Sequence, residues 1–385
     1  MHNTFVPALE TYRIDPEDLR GLLTPALVIF MDYVEANIRR MLELVGGGSE
    51  RWRPHMKTIK TPLVFARLAK HGIRCFKCAT TREANVLLST LAENGAEEAD
   101  LLVAYPHIGP ALVRLGEIAG AHPRSRVSVL CEDPAAVDAI PPELSIFVDV
   151  NPDMNRTGVP LADRSRVVEI ARRAGGRFRG LHCYEGHLTQ PSPQERRARA
   201  FDVYDRLMGL VEEVRRHGQP IDEIVTSGTP AFPHALAYPR FAKLEATRHS
   251  VSPGTVVFHD ARSAEDQPEL QLTPAVAVLS RVVSHPADDI ITCDTGSKSI
   301  AVDVGIPCAV VVEHPGLEQL PPSEEHLPFR VASGRKPARG EMLLLIPRHV
   351  CPTVNLAEEA VIVEGGRVTQ VVPVAARAHE TMRAV

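Results

Sequence analysis

Two textures divide the chain. As far as about Val256, short β-branched or apolar runs alternate with longer stretches whose apolar positions recur at helical spacing. The runs read as strands lie near Ala26–Met31, Arg51–Met56, Cys75–Ala79, Leu101–Tyr105, Arg126–Cys131, Ser145–Val150, Phe178–Tyr184, Ile221–Ser227 and Arg248–Val251. Helical spacing appears over Val34–Val45 and, at greatest length, over Gln194–His217. The second stretch has an Arg-rich face, with Phe201, Val203, Leu207, Leu210, Val211 and Val214 as buried candidates. Alternation of this kind predicts a parallel sheet covered by helices. Counting from Arg51, eight strands remain, the number that a closed (β/α)8 barrel needs. Ala26–Met31 is then surplus and leads in from outside the barrel. An open doubly wound sheet is the competing arrangement.

Beyond Val256 the runs are short and broken by Gly, Pro and Asp. They are Val276–Val283, Ile290–Cys293, Cys308–Glu313, Phe329–Ala332, Met342–Ile346, Thr353–Leu356, Ala360–Glu364 and Val368–Val374, with no strong helix between them. This predicts an antiparallel β domain. The charged, loop-like stretch Arg262–Glu269 is the expected junction. The organisation expected is an extension over residues 1–24 packing on the β domain, a barrel over 25–256 and a C-terminal β domain over 257–385.

Composition narrows the class. Hydrophobic residues make up 44% and charged residues 24% of the 385, as in an average soluble globular protein. Forty-three basic against 48 acidic residues leave a net charge of −5, which argues against nucleic acid or an anionic membrane as partner. The longest apolar run, near Pro25–Met31, is too short to span a bilayer. The N-terminal MHNTFVPALETYRID lacks the charged and apolar segments of a secretory signal. Seven cysteines, odd and sparse, fit a reducing cytoplasm better than a disulfide framework.

The candidate chemistry begins at Arg51–Lys60. Lys57 follows a strand and precedes a helix signalled by Thr61-Pro62, so in a barrel it stands at the C-terminal rim. A lysine held there and partly desolvated can have a lowered pKa and form a Schiff base with an aldehyde. An arbitrary lysine is far more often a solvated surface group, and the neighbours Arg53, His55 and Lys60 do not decide the matter. Thr226-Ser227-Gly228-Thr229 and Ser252-Pro253-Gly254-Thr255 follow the seventh and eighth barrel strands, where barrels commonly hold phosphate. Each is also an ordinary turn sequence. His349 and Cys351 lie two apart on a strand-like run, so both point to one face and suit a borderline-soft cation. A half-buried His and a core Cys are the plainer alternative. Cys75 and Cys78 mimic a CxxC motif, but an offset of three on a strand separates the thiols, so they read as core or surface residues. Arg156, after another strand, can pair with a carboxylate or a ring substituent, and Tyr184 and His187 can serve in proton transfer.

In combination these segments are recognisable. RPHMKT with Lys57, FKCAT at Phe76–Thr80, MNRTGV at Met154–Val159, YEGH at Tyr184–His187 and SGTPAF at Ser227–Phe232 follow in order. SPGT at Ser252–Thr255, SEEH at Ser323–His326 and IPRHVCPTVNL at Ile346–Leu356 complete the set. The chain resembles the D-threonine aldolase and D-serine dehydratase family of fold-type III pyridoxal-phosphate enzymes, from about Thr24 to near Arg377. The resemblance implies an alanine-racemase-like barrel plus β domain. It implies Lys57 as the Schiff-base lysine, Arg156 and Tyr184 around the cofactor, and Ser227, Gly228, Thr229, Gly254 and Thr255 on its phosphate. His349 and Cys351 are implied as ligands of a divalent metal, Zn2+ or Mn2+. The resemblance implies a homodimer with sites near the subunit boundary. Ile59 and Thr189–Gln190 stand where relatives often carry histidines, which leaves His187 as the available base.

The function expected is a lyase acting on β-hydroxy-D-amino acids. Retro-aldol cleavage to glycine and an aldehyde is the first reading, and dehydration to an oxo acid and ammonia the second. An amino-acid racemase and a non-catalytic pyridoxal-phosphate carrier are the rivals from other classes.

Overall fold

A computed structural model describes residues 11–190 and 192–381. It resolves into two compact units. One comprises Leu42–Lys57, Phe65–Gly254 and the described residues of Ala378–Val385. The other comprises the described residues of Met1–Met41, with Thr58–Val64 and Thr255–Arg377.

The first unit is built on parallel strands in the order Cys75–Cys78, Asp100–Val103, Arg126–Cys131, Ser145–Asn151, Phe178–Cys183, Glu223–Thr226 and Arg248–Val251, each paired with the next. Residues 52–55 close the ring, because Trp52 bridges Val251 and His55 bridges Lys77, both in parallel. The Arg53 N–H donates to the Val251 carbonyl at 2.9 Å and the Lys77 N–H to the Pro54 carbonyl at 3.0 Å. Pro54 has no N–H to donate, which is why this member is a pair of bridges rather than a continuous ladder. The eight strands expected from Arg51 onward are the eight members of this ring, and the open-sheet alternative falls away.

Helices cover the ring, and their starts are locally encoded. Thr80 accepts from the Glu83 N–H ahead of Thr81–Glu93, and Asp163 accepts from Arg166 ahead of Arg164–Ala174. Ser192 caps Pro193–Arg216, where proline fills the first helical position. On that last helix Val203, Leu207, Leu210, Val211 and Val214 are buried as expected. Phe201 is only half-buried, edge-on to Tyr238.

The second unit holds a nine-stranded sheet. The strand Ala26–Phe30 lies outside the barrel, antiparallel to Val276–Ala287 on one side and parallel to Glu359–Glu364 on the other. Its inward residues Val28 and Phe30 pack with Ala277, Leu279, Ile346, Val361 and Val363. The sheet is therefore mixed, not purely antiparallel as expected, because this early strand inserts between two late ones.

Three further local expectations are corrected. Thr353–Leu356 is not a strand but belongs to the helix Val350–Leu356. Its buried residues Val350, Thr353 and Val354 recur at helical spacing. Arg262–Glu269 is not a loop throughout, since Asp260 caps a short helix, Ala261–Asp266, by accepting from the Ser263 N–H. A short strand at Leu317–Gln319 escaped notice, being charged at its centre. No helix among the described residues is long and apolar enough to cross a membrane.

Candidate active site

At the C-terminal ends of the barrel strands, polar side chains replace apolar ones. Lys57 stands just beyond the first strand, after the Met56 N–H has made the last hydrogen bond, to the Lys77 carbonyl at 2.7 Å. Its own N–H donates to His55 Nδ1 at 3.3 Å. The side chain is exposed, so the expectation of a partly desolvated amine at Lys57 is corrected: it has passed the end of the ladder.

The buried amine is that of Lys77. Its Nζ lies 3.0 Å from His182 Nε2 and 2.7 Å from Ser252 Oγ. His182 Nδ1 is 2.7 Å from Asp149 Oδ1, and Asp149 Oδ2 accepts from the Thr157 hydroxyl at 2.8 Å. Burial, and next the charge of Lys57, hold the Lys77 ammonium down to about 7, with Arg156 adding to the effect and Asp149 and Glu185 opposing it. Burial, then Lys77, likewise lowers His182. Sequence reasoning missed Lys77, His182 and Asp149 in these roles. The available signal was a charged or ionisable side chain near the end of each apolar strand.

Tyr184 receives two cations on its ring, Arg156 at 4.8 Å and Lys77 at 5.3 Å from the centroid. The ring is set by close approach to glycines. A Cβ on Gly186 would fall 2.3 Å from it, and one on Gly228 2.8 Å. Gly254 is needed for a different reason, since a Cβ there would lie 2.4 Å from the His55 carbonyl. His187 is half-buried, and its Nδ1 is buried without a partner among the described residues.

Ser227 departs from expectation. Its backbone is left-handed, with φ of 61°. Its N–H donates to Glu185 Oε2 at 3.2 Å, and its hydroxyl donates to Glu185 Oε1. Both donors are thus committed inside the protein, to a carboxyl that burial pushes up. An anion at this loop would be left with Gly228 and Thr229.

The other unit brings His349 and Cys351 together, though not by the route expected. Neither lies on a strand. Strand Met342–Pro347 ends before them, and His349 is the residue preceding helix Val350–Leu356. The Val350 N–H donates to Asp260 Oδ2 at 3.2 Å, and the His349 carbonyl accepts from the Thr353 hydroxyl at 2.8 Å. These bonds fix the start of the helix. His349 Nδ1 lies 2.6 Å from Asp303 Oδ2, an orienting carboxylate with no signal in the sequence. Cys351 Sγ is 3.1 Å from Thr58 Oγ1 and 3.5 Å from Thr255 Oγ1, so the Thr255 hydroxyl faces sulfur. A hydrogen bond to Cys351, with help from Asp303, raises His349 to about 9. Burial would raise the Cys351 thiol, but His349, Thr58 and Thr255 outweigh it and bring the thiol below its ordinary value. An imidazole oriented through one nitrogen beside a thiol shifted toward thiolate is a donor pair suited to a borderline-soft cation. Among the described residues no cluster of three or more His, Cys, Asp or Glu with metal-binding geometry is present.

Comparison with known proteins supplies the lineage. The family model "alanine racemase, N-terminal domain" matches residues 29–262, and "putative serine dehydratase domain" matches residues 275–363. D-threonine aldolase from an Arthrobacter species is 29% identical over 371 residues, covering 92% of each chain. 3-Hydroxy-D-aspartate aldolase from Paracoccus denitrificans strain Pd 1222 is 26% identical, covering 94% of this chain and 93% of its own. The crystal structure of D-threonine aldolase from Filomicrobium marinum superposes with a TM-score of 0.82 at 26% identity, covering 96% of this chain and 99% of its own. The chain belongs to the alanine racemase N-terminal domain family, in its D-threonine aldolase and D-serine dehydratase branch.

Proposed function

We propose that this protein is a pyridoxal-phosphate- and divalent-metal-dependent lyase that cleaves β-hydroxy-D-amino acids between Cα and Cβ, giving glycine and an aldehyde. One observation carries the reading. A lysine, Lys57, follows directly on the first barrel strand, at the same end of the barrel as a tyrosine bearing Arg156 on its ring and a Gly-Thr loop. That donor set suits a phosphorylated aromatic aldehyde: an amine for the aldehyde, an aromatic face with a cation for the ring, and backbone at Gly228-Thr229 and Gly254 for the phosphate. His349 and Cys351 would hold the cation, Zn2+ or Mn2+, with Asp303 orienting the imidazole.

When bound, the cofactor supplies a sink for the electron pair released at Cα, and the cation polarises the substrate hydroxyl. The protein's own part is positional. Lys57 would supply the amine that holds the cofactor's aldehyde. Arg156 and Tyr184 would contact the cofactor's ring, the tyrosine from a seat that Gly186 and Gly228 leave open to it. His187, half-buried with Nδ1 unpartnered, offers a proton acceptor at the rim.

Cys351 also favours a second reading. A His-x-Cys pair resembles the dehydratases, and the C-terminal family model carries that name. The two readings separate in one assay. The purified protein with pyridoxal phosphate and Mn2+ or Zn2+ is expected to convert D-threonine to glycine and acetaldehyde, and chelation is expected to stop it. Oxobutyrate and ammonia would instead establish the dehydratase. Lys57→Ala is expected to abolish the visible absorbance of bound cofactor and the adduct trapped by borohydride. Retention of both would overturn the assignment, and a labelled peptide containing Lys77 would transfer it to the buried amine.

A further inference from the structure

Lys77 occupies a place that its packing alone does not explain. The side chain is 3% exposed, yet among the described residues no carboxylate lies within ion-pair distance of its nitrogen. A buried ammonium without a counter-charge is costly, and a barrel core has no need of one. The strand Cys75–Cys78 and the strand Phe178–Cys183 stand opposite each other in the ring of eight, so the contact from Lys77 to His182 crosses the barrel interior.

The hydrogen-bond directions follow from the outer partners. Asp149 takes the Nδ1–H of His182, which leaves Nε2 as an acceptor. The Ser252 hydroxyl donates to the Ser227 carbonyl at 2.9 Å, which leaves its lone pair as an acceptor. Both neighbours of Nζ therefore accept N–H bonds from it. The tetrahedral nitrogen keeps one further position, an N–H in the ammonium and a lone pair in the amine. Lys57 and Arg156 oppose the charged form, while Asp149 and Glu185 favour it, and Tyr184 presents its ring 5.3 Å away. Both forms are accessible near neutrality, as proton exchange requires.

We propose that Lys77, held by His182, Asp149 and Ser252, is the residue that takes up and returns the proton of the cleavage reaction; the proposal rests on the lyase reading above. The Nζ lone pair accepts the hydroxyl proton as the Cα–Cβ bond breaks and the aldehyde C=O forms. The electron pair left at Cα then takes a proton from the Lys77 ammonium, and glycine leaves. The lysine ends as it began, and no oxidant or reductant is consumed. Ile59, Thr189 and Gln190 carry no group that could do this near neutral pH, and the step falls to Lys77 rather than to His187, whose Nδ1 has no partner among the described residues to hold it in place.

The test uses the holoenzyme loaded with pyridoxal phosphate and Mn2+. Lys77→Met is expected to keep the cofactor's visible band at Lys57 while kcat/KM falls by about 10²–10⁴-fold. The natural protein is expected to show an acidic limb near 7 in its pH profile, and the variant to lack it. A readout independent of turnover accompanies it. In the apoprotein with 13C-labelled lysine, one side-chain signal is expected to titrate near neutrality and to be missing from the variant. His182→Gln retains an acceptor but breaks the link to Asp149, and is expected to move the limb rather than remove it. This second variant decides the matter if the first does not fold. An unchanged limb in either variant, or a loss below tenfold in Lys77→Met, overturns the assignment. No turnover by the natural protein, with the lysine signal titrating as described, would overturn the lyase reading instead.

Discussion

The two ends of the barrel bury the same kinds of charge and treat them in opposite ways. At the N-terminal end, Arg53 is fully buried and paired twice, with Glu223 at 2.6 Å and with Asp100 at 3.1 Å. Arg179 reaches Asp100 at 3.1 Å, Arg248 reaches Glu223, and the Ser250 hydroxyl donates to Glu223 at 2.5 Å. Most of these residues open their strands. Every cation there faces a carboxylate, and the guanidinium of Arg53 is raised well above its ordinary value in spite of burial. At the C-terminal end, Lys77 is nearly as deeply buried but faces an imidazole and a hydroxyl. The first arrangement locks charge in place and the second leaves it free to come and go. The lesson is that burial does not separate structural from functional charge; the identity of the nearest partner does.

The largest break in this contrast comes from Arg53→Met. Removing the guanidinium leaves Glu223 and part of Asp100 buried with fewer counter-charges, a loss of about 3–5 kcal/mol for a buried pair broken on one side. The expected result is a large drop in the urea midpoint of the protein. A shift no greater than that of a surface substitution would show that Arg179 and Arg248 suffice for the two carboxylates.

The sequence carried one end of this barrel better than the other. Strand count and order were legible because each run is bounded by a helical pattern and a turn, and the ring closes through Trp52 and His55 despite Pro54. Lys57, Arg156 and Tyr184 were legible as rim residues because each follows a strand. Lys77, His182 and Asp149 were not, since they sit inside strands whose apolar neighbours dominate the pattern, and only the closed ring brings Lys77 across to His182. The pairing of His349 with Cys351 was anticipated on strand geometry, whereas a helix start produces it. Asp303 lies 46 residues from its partner, a separation that no local pattern spans.

A smaller effect is expected in acid. Burial alone would raise Asp100, but Arg53 and Arg179 outweigh it and bring the carboxyl down to about 2. A depressed carboxyl stabilises the fold fully above its unfolded value, near 4, and ceases to do so as pH falls toward 2. The stability advantage of the natural protein over Asp100→Asn should therefore be constant from pH 5 to 7 and shrink by about 2 kcal/mol between pH 4 and 2. Urea titrations at a series of pH values measure it, and a gap that stays level through that window would mean the carboxylate is not ionised by its neighbours.

The smallest effect sharpens the comparison most. Lys77→Met removes a desolvated amine with no carboxylate partner, which relieves the fold, and leaves His182 Nε2 and Ser252 Oγ without a donor, which costs about 1–3 kcal/mol in compensation. The two contributions oppose each other, so the net change in unfolding free energy is expected within about 1 kcal/mol of zero. The methionine stem fills the volume of the lysine stem, and no cavity is added. Side by side in the same urea series, Arg53→Met and Lys77→Met should thus differ severalfold in stability, while only the second alters the pH profile of turnover. A loss at Lys77 as large as that at Arg53 would place both ends of the barrel in one class, with the mouth lysine held there for the fold and not for its proton.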